Sequence, residues 1–571
     1  MPYLIRDREY LREGSMTEES GLLLATPLQY FSAPDDGLYV DGPAHPRVAV
    51  VDFSRGDLKL RGQTRFRPKG VGRTVSCYDL GKQELDADSP IEAFESDTFL
   101  RVNPFATVLK TLAFFEGPEV LGRTLDWAFP GSQLLIVPRA GEWQNAFYDR
   151  STGSLQFYYH RASAGHTVYT ALSHDIVVHE TTHAILDAIA PDLYHASSPQ
   201  ALAIHEAIAD VSAITQTLMN EMVVWSVDNI SSSGVDAYDA LSRIAEEFGT
   251  DTRLADGAGF LRRLKNSRHL NPEDGTQDEF GRPNRPDVTD LHALSQVLSG
   301  AIYCVFEQRM RATHRRGDSG FGATLDEIVC PAARRVARIV FRALDYMPPG
   351  EAGFRDYGRA FVAAAAATYE RPQLEQKWLL EEFKRRHIIQ EDAELLVAPP
   401  ALSLEGVDME ALVKDDDVAR RLVEANRAAL GIARGTAFEV LPRLVASRSL
   451  GSKLAKNRKE EVILKVKWLE GETHDLGLGR PSTWQVVHGT TLVVDRETRR
   501  VRSCLTTESS AQETSDRRAL LTRWMAEGRI RDVAPAPDGL AAPGVGLAST
   551  QHGGARLHDS ASVLHLSEAP V

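Results

Sequence analysis

The rhythm of apolar and polar positions changes several times along the chain. The first sixty residues carry only brief alternation, as in "RVAVVDF" (47–53), and predict loops with short strands. The stretch 103–129, "NPFATVLKTLAFFEGPEVLGRTLDWAF", repeats at helical spacing and predicts an amphipathic helix with Pro104 near its start. "QLLIVP" (133–138) and "QNAFYDRSTGSLQFYYH" (144–160) predict strands, the second a hairpin turning at "RSTG". From Ser173 to about residue 390 the period is helical. One interruption, 266–290, is a polar loop rich in Pro, Gly and Asp, and loops of that length are usually functional or disordered. After "VAPPA" (397–401) the pattern shifts again. A helix-like stretch at 408–431 precedes alternating segments at 461–468, 483–495 and 499–505, which predict a small antiparallel sheet with a hairpin at "DRET" and then a helix at 515–527. The last forty residues are rich in Ala, Pro and Gly and read as a disordered tail. The segment 475–480 lacks the strand–turn–helix context of a phosphate loop and reads as a turn.

Composition narrows the class. A chain of 571 residues exceeds one hydrophobic core, so several domains are expected. The net charge of -14 argues against a nucleic-acid or anionic-membrane partner, since either needs a basic face. No apolar run is long enough to cross a bilayer, and the charged N-terminus has no signal-peptide core. Cys77, Cys304, Cys330 and Cys504 are scattered, with no CxxC pair; they read as free thiols in a reducing compartment, and a cytoplasmic location is expected.

The chemistry concentrates in "SHDIVVHETTHAILD" (173–187). Ser173 is a good N-cap, Asp175 suits a first turn and Pro191 ends the run, so a helix from about 174 to 189 is predicted. His179 and His183 then share one face, able to ligate one zinc ion, with Glu180 placed to act on water. A catalytic zinc needs a third protein ligand. Downstream, "SSPQALAIHEAIAD" (197–210) predicts a second helix with Ser198 as cap and Pro199 at its first position. Glu206 and Asp210 share a face of it, one to bind metal and the other to hold a ligand histidine by its second ring nitrogen. His205 and Glu206 point about 100° apart, so both should not be ligands.

These residues resemble the thermolysin-like zinc metallopeptidases, within the gluzincins, over roughly residues 60–390. The resemblance implies His179, His183 and Glu206 as ligands of one zinc ion, Glu180 as general base and Asp210 behind a ligand histidine. It also implies Tyr194 and His292 as donors to the oxyanion, with Asp287 orienting His292. Asn145, Ala146 and Arg262 would hold the substrate backbone. The interhelical gap is a few residues longer than the family's, as an enlarged loop would explain. Asp175 falls on a family calcium position, but Thr217 stands where the partner glutamate would be, which gives structural calcium little support. The implied fold is α+β: a two-lobed, thermolysin-like peptidase with a strand-rich N-lobe (61–172) and a helical C-lobe (173–395). An N-terminal extension (1–60), an additional α+β domain (400–530) and a tail (531–571) complete the chain.

The expected activity is zinc-dependent endopeptidase action on peptide or protein substrates, with the 400–530 domain restraining or directing the enzyme, or meeting a regulatory partner. Two alternatives stay open. One is a catalytically silent, zinc-stabilised binding protein, with His205 as a conceivable extra ligand. The other is a gluzincin aminopeptidase, although no GxMEN-type segment is present.

Overall fold

The structure is a computed structural model. It describes residues 43–53, 97–162, 167–221, 237–244, 262–315, 324–396, 406–449, 458–474 and 482–532, short strands at 2–6, 28–32, 60–61, 545–549 and 555–558, and a few isolated positions between them. Cys77 and the stretch 475–480 lie outside the described residues. The described residues are a mixture of helix and strand.

A five-stranded sheet lies ahead of the helices. It contains β1 (Ala44–His45), β2 (Val48–Val50), β3 (Leu134–Val137), β4 (Ala146–Asp149) and β5 (Ser154–Phe157), in the order β1–β2–β3–β5–β4. Val48–Val50 pairs in parallel with Leu134–Ile136, which brings residues 44–50 into this sheet. The hairpin at 150–153 forms as its turn residues predict, pairing Ala146 with Phe157, and it leaves β4 at the sheet's edge. The helix expected over 103–129 is displaced: α1 runs Asp97–Glu116, with Pro104 inside it. Gly117–Pro118 stops it, since neither residue favours continuation, and 117–129 is turn and loop.

The helical part comprises α2 (His174–Ile189), α3 (Pro199–Leu218), α4 (Leu291–Arg315), α5 (Leu325–Tyr346), α6 (Phe354–Thr368) and α7 (Gln373–Arg385). Ser173 caps α2 as expected, its hydroxyl accepting from the Ile176 N–H at 3.3 Å. Ser198 occupies the N-cap position of α3 but makes no side-chain capping bond. Both α2 and α3 are buried on nearly every side, so the packing around them, more than amphipathicity, fixes where they lie.

Beyond residue 400, the single helix-like stretch divides into α8 (Met409–Lys414) and α9 (Asp416–Ala425), because Asp415 caps a new start, accepting from the Asp417 and Val418 N–H groups. An eight-stranded sheet follows: β6 (Glu439–Val440), β7 (Leu444–Ser449), β8 (Arg458–His474), β9 (Ser482–Asp495), β10 (Val501–Thr506), β11 (Ile530–Asp532), β12 (Val545–Ser549) and β13 (Ala555–His558). Its path is β6–β8–β9–β13–β12–β11, with β7 also on β8 and β10 also on β9. The expected tail therefore supplies two strands. Helix α10 spans Ala511–Ala526.

The two faces of this sheet do different things. Val462, Leu464, Val466, Leu492, Val494 and Cys504 form a small core with Leu412, Leu422 and Val423 of α8 and α9. Ile463, Val493 and Leu505, with Leu520 and Trp524 of α10, join the main core of the helical part. Ion pairs span the same boundary. Asp345 of α5 binds Arg448 of β7 and, at 2.6 Å, Arg123; Arg448 also reaches Glu461 at 2.8 Å, which accepts from the Tyr346 hydroxyl at 2.7 Å. The backbones themselves touch. Gly122 adopts φ +64°, and a Cβ there would lie 2.2 Å from the Ser447 carbonyl oxygen; Gly350 adopts φ +100°, with Val487 O at 2.3 Å. Only glycine permits both the conformation and the approach. The C-terminal region is thus built onto the helical part through a shared core.

Candidate metal centre

Helix α2 presents His179, Glu180 and His183 as the i, i+4 spacing predicts, and all three are buried. One ligand-capable atom from each lies within 4.8 Å of the others, so the group could hold a metal ion. Helix α3 packs alongside and brings in Glu206, fully buried. The Nε2 atoms of His179 and His183 are 3.0 Å apart, and each is 3.4 Å from a Glu206 carboxylate oxygen. Donors about 2.0–2.1 Å from a tetrahedral zinc ion sit about 3.3 Å from one another. The observed separations fit a small divalent cation, and two imidazole nitrogens with one carboxylate are a donor set that first-row transition metals accept.

Supporting contacts fix each donor. His179 Nδ1 lies 3.0 Å from Asp210 Oδ1, and Arg262 holds the same carboxylate at 2.9 Å. His183 Nδ1 meets Nδ1 of His205 at 2.6 Å. His205 therefore stands behind His183, on the side away from the converging Nε2 atoms, and not as an extra ligand. One oxygen of Glu180 accepts from the Tyr148 N–H of the edge strand at 3.1 Å.

The group adjoins an open cleft of about 500 Å³, lined among others by Asn145, Ala146, Arg262, Asp287 and His292. That volume is in the range of small-ligand and substrate sites. His292 follows Asp290, which caps α4 by accepting from the Ala293 N–H, and its Nε2 is 3.3 Å from Glu206. Two expected residues sit differently. Asp287 is engaged with the Thr289 N–H at 2.9 Å and with Arg523 at 3.6 Å, not with the His292 ring. Tyr194 is buried, its ring centroid 5.9 Å from Tyr148 and 6.0 Å from His205, and is not among the residues lining the cleft. Arg268 and Arg282 line the cleft without having been singled out in the sequence; the signal was their place in the long polar loop. Where the resemblance set calcium against Thr217, the Thr217 hydroxyl donates to Asp175 at 3.3 Å.

Burial and mutual charge perturb the cluster strongly. Burial pushes Glu180 up to about 8 and His205 down to about 4. Burial also disfavours charge on His179, yet hydrogen bonds to Asp210 and Glu206 prevail and raise it to about 10. Burial opposes ionisation of Glu206, but His292 and His183 hold it well below the usual carboxylate range. A divalent cation would take over the role of these ring protons and would favour the ionised form of Glu180.

No protein-family profile matches this chain, and a search of curated proteins finds no significant relative. Among the described residues, no helix is long and apolar enough to cross a membrane. Cys304, Cys330 and Cys504 are free thiols.

Proposed function

We propose that this chain is a zinc-dependent endopeptidase of the thermolysin-like kind, with a two-lobed peptidase spanning the five-stranded sheet and helices α2–α7. The observation that carries the reading is the convergence of His179, His183 and Glu206 beside Glu180 at the head of a cleft. Bound there, zinc would act as a Lewis acid towards water and the scissile carbonyl. Glu180 takes the proton from the attacking water and passes it to the leaving amine, a general base and then a general acid. Asn145 and Ala146 sit where the outer edge of β4 meets the cleft, a place for an extended peptide to lie against a sheet edge. His292 donates to the oxygen that gains charge, a contribution typically of about 2.7–4 kcal/mol. Arg262 holds Asp210 and, through it, His179, while also facing the cleft.

The test is metal analysis and peptide cleavage by the wild type and Glu180→Ala. The expected result is about one zinc in both and cleavage only by the wild type. Equal cleavage would remove Glu180 from the mechanism. Blocked peptides should be cut as well as free ones, which an aminopeptidase would not do.

One contact favours a second reading, a silent zinc-stabilised binding protein. His292 Nε2 lies close enough to Glu206 to offer a fourth protein donor, which would close the site. His292→Ala separates the two: the peptidase keeps its zinc and loses rate, whereas the closed site loses zinc.

A further inference from the structure

Helices α2 and α3 are joined by residues 190–198, and this connector is gripped from outside the helical part. Asp192, nearly buried with 7% of its side chain exposed, faces Lys467 of β8 at 3.6 Å and Arg556 of β13 at 3.4 Å. At the connector's other end, the Ser197 N–H donates to Glu351 at 3.1 Å and its hydroxyl at 2.9 Å. Glu351 is itself held by Arg517 of α10 at 3.4 Å, and its N–H donates to the Val487 carbonyl of β9 at 3.0 Å. Arg517 also binds Glu472 of β8 at 2.5 Å. The cations facing Asp192 thus come from the C-terminal sheet, and Ser197 is anchored through a carboxylate that this region holds in place. The two ligand histidines lie on one side of the connector and Glu206 on the other, so its position governs the spacing between them. Metal sites tolerate only about 0.2 Å of error in ligand distance.

We propose that the C-terminal region is part of the scaffold of the metal centre, with Asp192, Lys467 and the Glu351–Arg517 pair as positioning residues that set the distance between the two ligand helices. The inference rests on the reading that the cluster takes zinc.

The experiment uses the full chain. Zinc affinity is measured by competition with a chromophoric chelator for wild type, Asp192→Asn, Lys467→Met, Lys467→Arg and Arg496→Ala, alongside the melting temperature of each metal-free protein. Arg496 pairs with Glu410 and Glu460 elsewhere in the same region, so Arg496→Ala is the control. Asp192→Asn and Lys467→Met should each weaken zinc binding about tenfold, as loss of outer contacts to a metal site does. Lys467→Arg should restore the wild-type affinity, and Arg496→Ala should leave it unchanged. Should Lys467→Met fail to fold, the nearly isosteric Asp192→Asn carries the test. Affinities within twofold of wild type in both variants, whether or not the metal-free proteins melt lower, overturn the inference while leaving the metal reading intact. A wild type that takes up no zinc overturns both.

Discussion

Replacing Asp345 with asparagine probes whether the C-terminal region and the helical part fold as one unit. The Asp345 side chain is fully buried and faces Arg448 and Arg123, whose side chains are 4% and 11% exposed. Burial alone would raise its pKa, but those two guanidinium groups outweigh burial and hold the carboxyl below its usual range. Removing one partner of a buried pair costs about 3–5 kcal/mol, because the remaining charges are stranded. The unfolding entropy is about 2.1 cal/mol/K per residue, so cooperative melting of most of the chain converts that cost into a fall of only about 2–4 °C. If the C-terminal region instead melted alone, its smaller entropy would give a fall of more than about 10 °C for that region only. Tryptophan fluorescence and limited proteolysis follow the two parts, Trp468, Trp484 and Trp524 on one side and Trp127, Trp143 and Trp378 on the other. The expected outcome is one coincident transition, shifted by a few degrees. The wild-type advantage should also fade in acid, since a depressed carboxyl contributes stability above its unfolded pKa and loses it as pH falls through the folded value. An early, separate transition of the C-terminal tryptophans, or no shift at all, would refute the reasoning.

Two further outcomes follow from particular positions. Gly350→Ala should destabilise by about 3 kcal/mol, since it combines a positive φ with a Cβ pressed on a backbone oxygen, whereas Gly435→Ala, with φ +86° and open space, should cost only about 1 kcal/mol; comparable losses in urea unfolding would falsify the steric argument. Asp356 is buried and pushed up to about 7, by burial first, with Glu513 adding to the rise against the Gly353 N–H and two arginines. Between its ordinary value of 3.8 and about 7 the folded state retains a proton that the unfolded chain has released, so stability declines with rising pH across that window by at most about 4 kcal/mol. Asp356→Asn should therefore gain stability relative to wild type at pH 8 but little at pH 4, and an equal difference at both values would dismiss the linkage.

The metal cluster was the most legible part of the chain because its information is local. Two histidines four residues apart share a helix face wherever that helix packs, and the Glu206–Asp210 pair obeys the same geometry. What depends on tertiary placement was harder to read. Tyr194 falls at a suggestive distance along the chain, yet its ring packs against Tyr148 and His205 instead of lining the cleft. Asp287 precedes His292 by five residues but turns to Thr289 and Arg523. The docking of the C-terminal sheet was not legible for a different reason. In "EVILKVKW" the alternation sets Glu461, Lys465 and Lys467 opposite Val462, Leu464, Val466 and Trp468, and the alternation alone does not say what covers the charged face. In the structure Glu461 and Lys465 are only 7% and 5% exposed: Glu461 meets Arg448 of β7 and the Tyr346 hydroxyl of α5, and Lys465 faces Asp345 of α5 and Asp192 of the connector. Burial of an alternating polar face leaves no mark in the pattern of one strand.

That polar docking face also bears on how the protein is made. Domains emerge from the ribosome N-terminal end first, so α5 and the connector exist for more than a hundred residues of elongation before β8 is available to cover them. A greasy surface left waiting that long would seek other chains. Asp192, Asp345 and Glu351 keep part of that surface hydrated until Lys467, Arg448 and Arg517 arrive, so side chains that later join the two parts also limit how much apolar surface waits uncovered.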